Sequence, residues 1–418
     1  MAFLAKLFQI TTIVALVSSF AVQAEQTVSI ELAVQVALER DALTHVYQSR
    51  RDAYKDQSVA EDTLPDPKIK IGFMNLPTDT YALDQEPMTQ IQLGIQQMFP
   101  RGNSLEIKSQ RALNMSVAED AKTENQRRKV AREVRETWLE LYYWLQADSV
   151  IKENRKLFTE LVSVTKQQYA AGRQKQQDVI RSELELGMLD DREMKIQTRI
   201  ETTQAKLNKY LGSDFSTIEI SSELPVFSVQ KKSTAWLETH PTIRIQQAMI
   251  AVSEKNVGLA KQSYKPSWLL DITYGKRDGK NPNGSERADF ASAMVMFDLP
   301  LFTADRQDKK VAASKSRLNG ALNSREEQKR TLNKMWQAAL AKEKRLLQRI
   351  KQYDDLLLPK SDENIKSALY AYQSGRSDFT ALMRAQITEL ETQLRALRLT
   401  VEYKKTQALL LYLVGENS

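Results

Sequence analysis

Side chains able to do chemistry are sparse in this chain of 418 residues. It has two histidines and no cysteine. His45 and His240 each follow a threonine at the start of a short helical pattern, and no His, Asp or Glu stands at ligand spacing around either. Both are expected to be ordinary helix-end histidines. Met294 and Met296 are two thioethers on a strand pattern, which favours core or lipid-facing packing over copper ligation. No glycine-rich phosphate loop, Ser-His-Asp set or carboxylate pair in a glycine-framed strand–turn setting occurs. The expectation is a non-enzyme with no catalytic, metal or cofactor site. The lack of cysteine also excludes disulfides, thiolate metal sites and a lipid anchor on an N-terminal Cys.

What remains is a set of charges beside a repeated turn. Tyr169-Ala170-Ala171-Gly172-Arg173 is followed by Asp178-Val179-Ile180-Arg181, and Tyr372-Gln373-Ser374-Gly375-Arg376 by Ala381-Leu382-Met383-Arg384. The offset is 203 residues (375 − 172), and the same offset links Phe99 to Phe302 and Gly212 to Gly415. A glycine between long helical patterns marks a helix–turn–helix, because glycine accepts the left-handed conformation that ends a helix. Its recurrence in one register predicts a tandem duplication.

The elements that must position these turns follow from composition and period. The chain is 42% hydrophobic and 27% charged, as expected of a folded, largely helical protein. A net charge of +7 is interleaved with acidic residues, which indicates solvated helix faces and no nucleic-acid partner. Lys6, the apolar run Leu7 to Val17 and Val22-Gln23-Ala24 predict a signal peptide over 1–24, hence an exported chain. No later stretch approaches the roughly 20 apolar residues of a spanning helix.

A first repeat is expected over 25–212. Thr27 or Ser29 caps a helix that runs to about Asp62, and Leu64-Pro65-Asp66-Pro67 ends it. The period then changes to two in a hairpin over 68–98. Ile69, Ile71 and Phe73 share one face, and Ile91, Leu93 and Ile95 oppose Gln90, Gln92 and Gln96. A long helix over 103–171 carries the seam Val130, Val134, Trp138, Leu141 and Leu145, and a helix over 174–211 follows. The long one measures about 100 Å, which suits coiled-coil-like packing. A polar connector, 213–232, leads to the second repeat, 233–418. It comprises a helix to Tyr264, a hairpin over 267–299, a long helix over 305–372 and a helix over 378–413. The second long helix has Trp336, Leu340, Leu347 and Ile350 on its seam, and Pro359 should kink it. The faces of the strand Asp289 to Leu299 stay open, since its alternation is weak.

Four strands of roughly 9 to 11 residues have the length of tilted membrane strands. One chain cannot pair both edges of such a sheet, and lipid does not tolerate an open edge. Three copies would supply twelve strands, within the range of bacterial barrels. The fold class expected is therefore mainly α with membrane β: a homotrimeric 12-stranded β-barrel continuous with a long α-helical barrel.

The duplicated Tyr-x-x-Gly-Arg turns, the two hairpins between proline-ended short helices and long helices, and the terminal Leu413-Val414-Gly415 resemble the TolC-type outer-membrane factor family. The likeness covers nearly all of the mature chain. Pro65-Asp66-Pro67, Gln96-Gln97-Met98 and Phe99-Pro100-Arg101-Gly102 are similar to its heavy-metal (cobalt-zinc-cadmium type) efflux branch. The resemblance implies a passive trimeric conduit in the outer membrane with a periplasmic extension. It would dock on a periplasmic adaptor (membrane fusion) protein and an inner-membrane pump of the resistance-nodulation-division type. It implies that Gly172, Arg173, Gly375 and Arg376 form the tips that meet the adaptor, and that aspartates just inside constrict the closed mouth. Here the first copy keeps Asp178, with Arg181 one turn on, whereas the second has Ala381 and Arg384 at the matching positions and Asp378 one turn nearer the tip. A mixed ring of Asp178, Arg181, Asp378 and Arg384 is the resulting expectation, against ordinary surface charges on helix ends. Multidrug efflux and type I protein secretion are alternative cargoes; a periplasmic adaptor or a structural coiled coil are alternative classes.

Overall fold

The computed structural model describes residues 28–212, 220–229 and 236–415. The expected signal peptide and parts of the connector lie outside the described residues. Helix α1 (Ile30–Arg40) starts at Ser29, whose hydroxyl accepts from the Leu32 amide at 3.2 Å. The single helix expected up to Asp62 is broken at Asp41. That residue takes φ −68° and ψ 101° and opens α2 (Ala42–Glu61), accepting from the amide and hydroxyl of Thr44 at 2.8 and 2.7 Å. An aspartate that caps a helix competes with continuing one, and here the cap wins. The same break occurs in the second half, where α5 (Trp236–Thr239) stops and His240 caps α6 (Pro241–Gln262). Pro241 fits the first turn because its missing N–H would be unpaired there.

The strands β1 (Lys68–Met74), β2 (Gln90–Phe99), β3 (Trp268–Lys276) and β4 (Phe290–Phe297) form one antiparallel sheet in chain order. The two hairpins are thus joined edge to edge by β2 and β3. Ile69 opposes Ile95, which opposes Ile272; Ile71 opposes Leu93, which opposes Tyr274. Opposed residues share a face, so the expected apolar faces merge into one. It is exposed, with Ile71 at 76% and Phe73 at 65%. The other face is polar. Asp271 accepts from Gln96 at 2.5 Å and from the Thr273 hydroxyl at 2.7 Å, and pairs with Lys70 at 3.3 Å. Register also places Met294 and Met296 on this polar face, opposite Asp271 and Leu269. Both are about half exposed there, at 49% and 48%, so neither lies in a core.

Below the sheet, α3 (Ser104–Ala170) is continuous for 67 residues, about 100 Å. Near the sheet α2 runs beside it, with Lys108 paired to Glu61 and Arg51 to Asp120. Farther down α4 (Gln176–Leu211) takes that place, with Arg155 paired to Asp190 and Lys166 to Glu183. In the other half α7 (Gln307–Gln352) passes through a π turn, Tyr353–Leu357, into α8 (Leu358–Gln373), and α9 (Phe379–Val414) returns. The π turn lies just ahead of Pro359, as the proline requires: it has no N–H to offer the carbonyl four residues back.

The expected seam is the main core. Val130, Val134, Trp138 and Leu141 are buried with residues of α1, α4 and α9, and the Trp138 indole donates to the Val28 carbonyl at 3.0 Å. A second cluster gathers Trp236, Ile243, Leu332, Trp336 and Leu410. Leu347, expected on the second seam, is left exposed within one chain.

Candidate functional site at the helical tips

Both repeated turns close their helices in the same way. Gly172 has φ 68° and Gly375 φ 67°. The Gly172 amide donates to the Tyr169 carbonyl at 2.9 Å, and the Arg173 amide to that of Gln168 at 2.8 Å. The counterparts are Gly375 to Tyr372 at 3.1 Å and Arg376 to Ala371 at 2.9 Å. This pair of crossed bonds is the Schellman closure, which needs a left-handed residue at the glycine. Arg173 and Arg376 stand exposed at the two tips.

The fold brings the tips together. The Gln174 amide donates to the Tyr372 hydroxyl at 3.1 Å, and that hydroxyl donates to the Gln168 side chain at 3.4 Å. The two tyrosines of the repeated motif therefore differ. Tyr372 is half-buried against Phe379, while Tyr169 is 46% exposed. Gln168, Gln174 and Thr380 were not singled out by sequence reasoning; a polar residue that bridges two distant segments leaves no local pattern.

The four charges of the expected ring are placed unevenly. Asp178 accepts from the Lys175 amide at 3.4 Å and Asp378 from the Ala381 amide at 2.8 Å, so each carboxylate serves the start of its own helix. Negative charge is favoured there by the helix dipole. Arg181 reaches across to the Thr380 hydroxyl at 3.3 Å, linking α4 to α9, and Arg384 is exposed. Inside one chain the geometry thus gives two caps, one bridge and one open guanidinium. Behind the tips, Gln386 of α9 donates to the Asn154 side chain of α3 at 3.1 Å in a buried contact. A stripe of apolar residues at helical spacing, Ile180, Leu184 and Met188, lies exposed along α4.

Among the described residues no cluster of His, Asp or Glu could hold a metal ion, and no helix is long and apolar enough to cross a membrane. His240 is remote from the tips and buried; burial and the charge of Arg128 hold its imidazole at about 4. His45 is exposed, within reach of the Gln48 side chain.

No protein-family model and no curated protein sequence matches the chain. Solved structures do. The outer-membrane channel OprN aligns with a TM-score of 0.80 at 18% identity, over 93% of this chain and 90% of its own. CusC, whose structures concern transmembrane channel formation, gives 0.79 at 14% identity, over 93% and 92%. The outer membrane protein VceC from Vibrio cholerae gives 0.77 at 15% identity, over 93% and 96%. Nearly the whole chain, sheet and helical hairpins alike, therefore has the fold of these outer-membrane channel proteins.

Proposed function

We propose that this chain is one protomer of a passive exit duct in an outer membrane, serving a tripartite efflux system. Three copies close their sheets into one twelve-stranded barrel, and their helices continue it as a tube into the periplasm. The observation that carries the reading is the sheet. Within the described chain β1 and β4 each leave one edge unpaired, and the apolar face is bare. An open edge and such a face are both liabilities in water and both resolved by closure in lipid. The exposed stripe on α4 and the bare Leu347 give the helices faces for a neighbouring copy as well. We read 25–212 and 233–418 as copies of one unit; the matched Schellman turns and the glycines that end α4 and α9 at φ 90° and 88° support this.

In this reading Gly172, Arg173, Gly375 and Arg376 meet a periplasmic adaptor, and energy comes from an inner-membrane pump. Heavy-metal cations are the proposed cargo, on the likeness of the 65–67 and 96–102 stretches to that branch and the similarity in fold to CusC. Deleting the gene is expected to lower tolerance to zinc, cobalt, cadmium, copper or silver. Unchanged metal tolerance with altered drug tolerance would overturn the cargo assignment.

Asp178, Arg181, Asp378 and Arg384 would form a mixed ring across the three protomers near the mouth, with the guanidiniums tying neighbours shut. Arg181→Gln with Arg384→Gln is then expected to raise single-channel conductance in planar bilayers several-fold. Conductance equal to that of the unaltered protein would remove the ring.

A further inference from the structure

Methionines sit in the sheet with a bias that packing does not explain. Strands β1, β2 and β4 carry four of them: Met74, Met98, Met294 and Met296. Register puts every one on the polar face. Met98 opposes Leu269, which opposes Met296; Met294 opposes Asp271, which opposes Gln96; Met74 opposes Gln90. Each is between 45% and 49% exposed. The apolar face has none. A methionine serving only as an apolar filler belongs where such surface is buried or meets lipid, and here the placement is reversed.

What separates methionine from leucine on a wet face is its sulfur. The thioether is neutral, does not titrate at ordinary pH and is a soft electron-pair donor. The Met74 sulfur already acts so on this face, accepting from the Gln92 side-chain amide at 2.8 Å. Met294 and Met296 stand about 7 Å apart along β4, and Met98 stands about 10 Å from Met296, two strand spacings away. Three rotatable bonds in each side chain let sulfurs so placed converge on one ion. The chain has no cysteine, so thioethers are its only sulfur donors. Asp271, directly opposite Met294, sets a carboxylate beside them, matched in charge by Lys70 at 3.3 Å. Among the described residues no group of His, Asp and Glu accompanies them as a site for zinc or cobalt.

We propose that Met98, Met294 and Met296 bind a soft monovalent cation, Cu+ or Ag+, through their thioether sulfurs. Met74 gives a further, single-sulfur contact nearer the β1–β2 turn. An ion that exchanges one neutral sulfur for another moves no proton and changes no charge, so it is held and passed on. In the duct reading this face lines the lumen, and the site narrows the proposed heavy-metal cargo to soft monovalent ions. That narrowing rests on the duct reading, whereas the binding rests on the sheet alone.

The test uses the full-length protein purified in mild detergent and chloride-free buffer, with Ag+ as the probe and Zn2+ as the comparison. Dilute peroxide converts methionines to sulfoxides, and peptide mass spectrometry reads the extent at each. Ag+ is expected to slow oxidation of Met98, Met294 and Met296 by about fivefold or more, at pH 5 as at pH 7, and Zn2+ to leave it unchanged. Met194, 63% exposed on α4, is the reference and should be slowed by neither ion. In equilibrium dialysis, Met294→Leu with Met296→Leu, a change that keeps volume and apolarity, should hold Ag+ about tenfold less tightly. Met194→Leu should bind as the unaltered protein does. No slowing in the sheet, equal slowing at Met194, or unchanged Ag+ affinity in the double variant overturns the site. The oxidation assay needs no variant, so a misfolded variant leaves the decision to it. Failure of the duct reading would be seen separately, as absence of the protein from the outer-membrane fraction while Ag+ still protects these three methionines.

Discussion

At the scale of single residues, His240 shows what a buried polar cap does to stability. Its Nδ1 accepts from the Thr242 amide at 3.2 Å, its ring stands edge-on to Trp236 and Tyr412, and it is 1% exposed. Burial, with Arg128 nearby, lowers the imidazole from 6.5 to about 4. Between those values an unfolded chain binds a proton that the folded chain refuses. The stabilisation is therefore complete above the unfolded value and is lost as pH falls from about 6.5 towards 4, by an amount approaching roughly 3 kcal/mol per chain. Thermal unfolding of the purified protein should thus show Tm falling across this window. His240→Asn can still cap the helix but does not titrate, so its Tm should fall less steeply. Parallel slopes for the two proteins would contradict the assignment. Nothing in the sequence around His240 separates it from the exposed His45, because burial here is set by Trp236 and by Tyr412, far away in α9.

At the scale of elements, the two Schellman turns fix the direction in which each hairpin folds back. A side chain added at Gly172 or Gly375 meets nothing within 4 Å, so any penalty comes from backbone conformation alone. Gly172→Ala and Gly375→Ala should each cost about 1 kcal/mol, and the loss should stay local. Faster hydrogen exchange confined to the ends of α3 and α4, or of α8 and α9, is expected; unchanged exchange would show that the turns carry no strain. Long helices and hairpins were legible because their periods are local: the seam at Val130, Val134, Trp138 and Leu141 and the alternation at Ile69, Ile71 and Phe73 both hold. The breaks at Asp41 and His240 were not, since neither site carries a glycine, and Pro241 suits a helix start as well as a stop. Strand β4 hid its faces because its second side mixes Ser292 with the apolar Met294 and Met296, while Ala291, Ala293, Val295 and Phe297 lie on the first. The β2–β3 pairing joins segments about 170 residues apart, and no local pattern reports it. At the tips, the glycines and arginines stood out by repetition, whereas the Tyr372–Gln174 and Arg181–Thr380 bridges depend on how two hairpins meet.

At the scale of the whole molecule, the chain is a body about 100 Å long with a sheet that one copy cannot complete. The central claim is that three copies complete it, β1 of one against β4 of the next. The lack of cysteine makes a direct measurement clean. Pairs of single cysteines, one among the alternate residues Lys68, Lys70 and Gly72 of β1 and one among Ser292, Met294 and Met296 of β4, sample the registers in which facing Cβ atoms come within about 5 Å. Oxidation in native membranes, followed by denaturing electrophoresis, is predicted to give covalent dimers and trimers for the pairs in register and no larger species. Monomers from every pair, or a ladder that continues past three, would contradict the closed trimer.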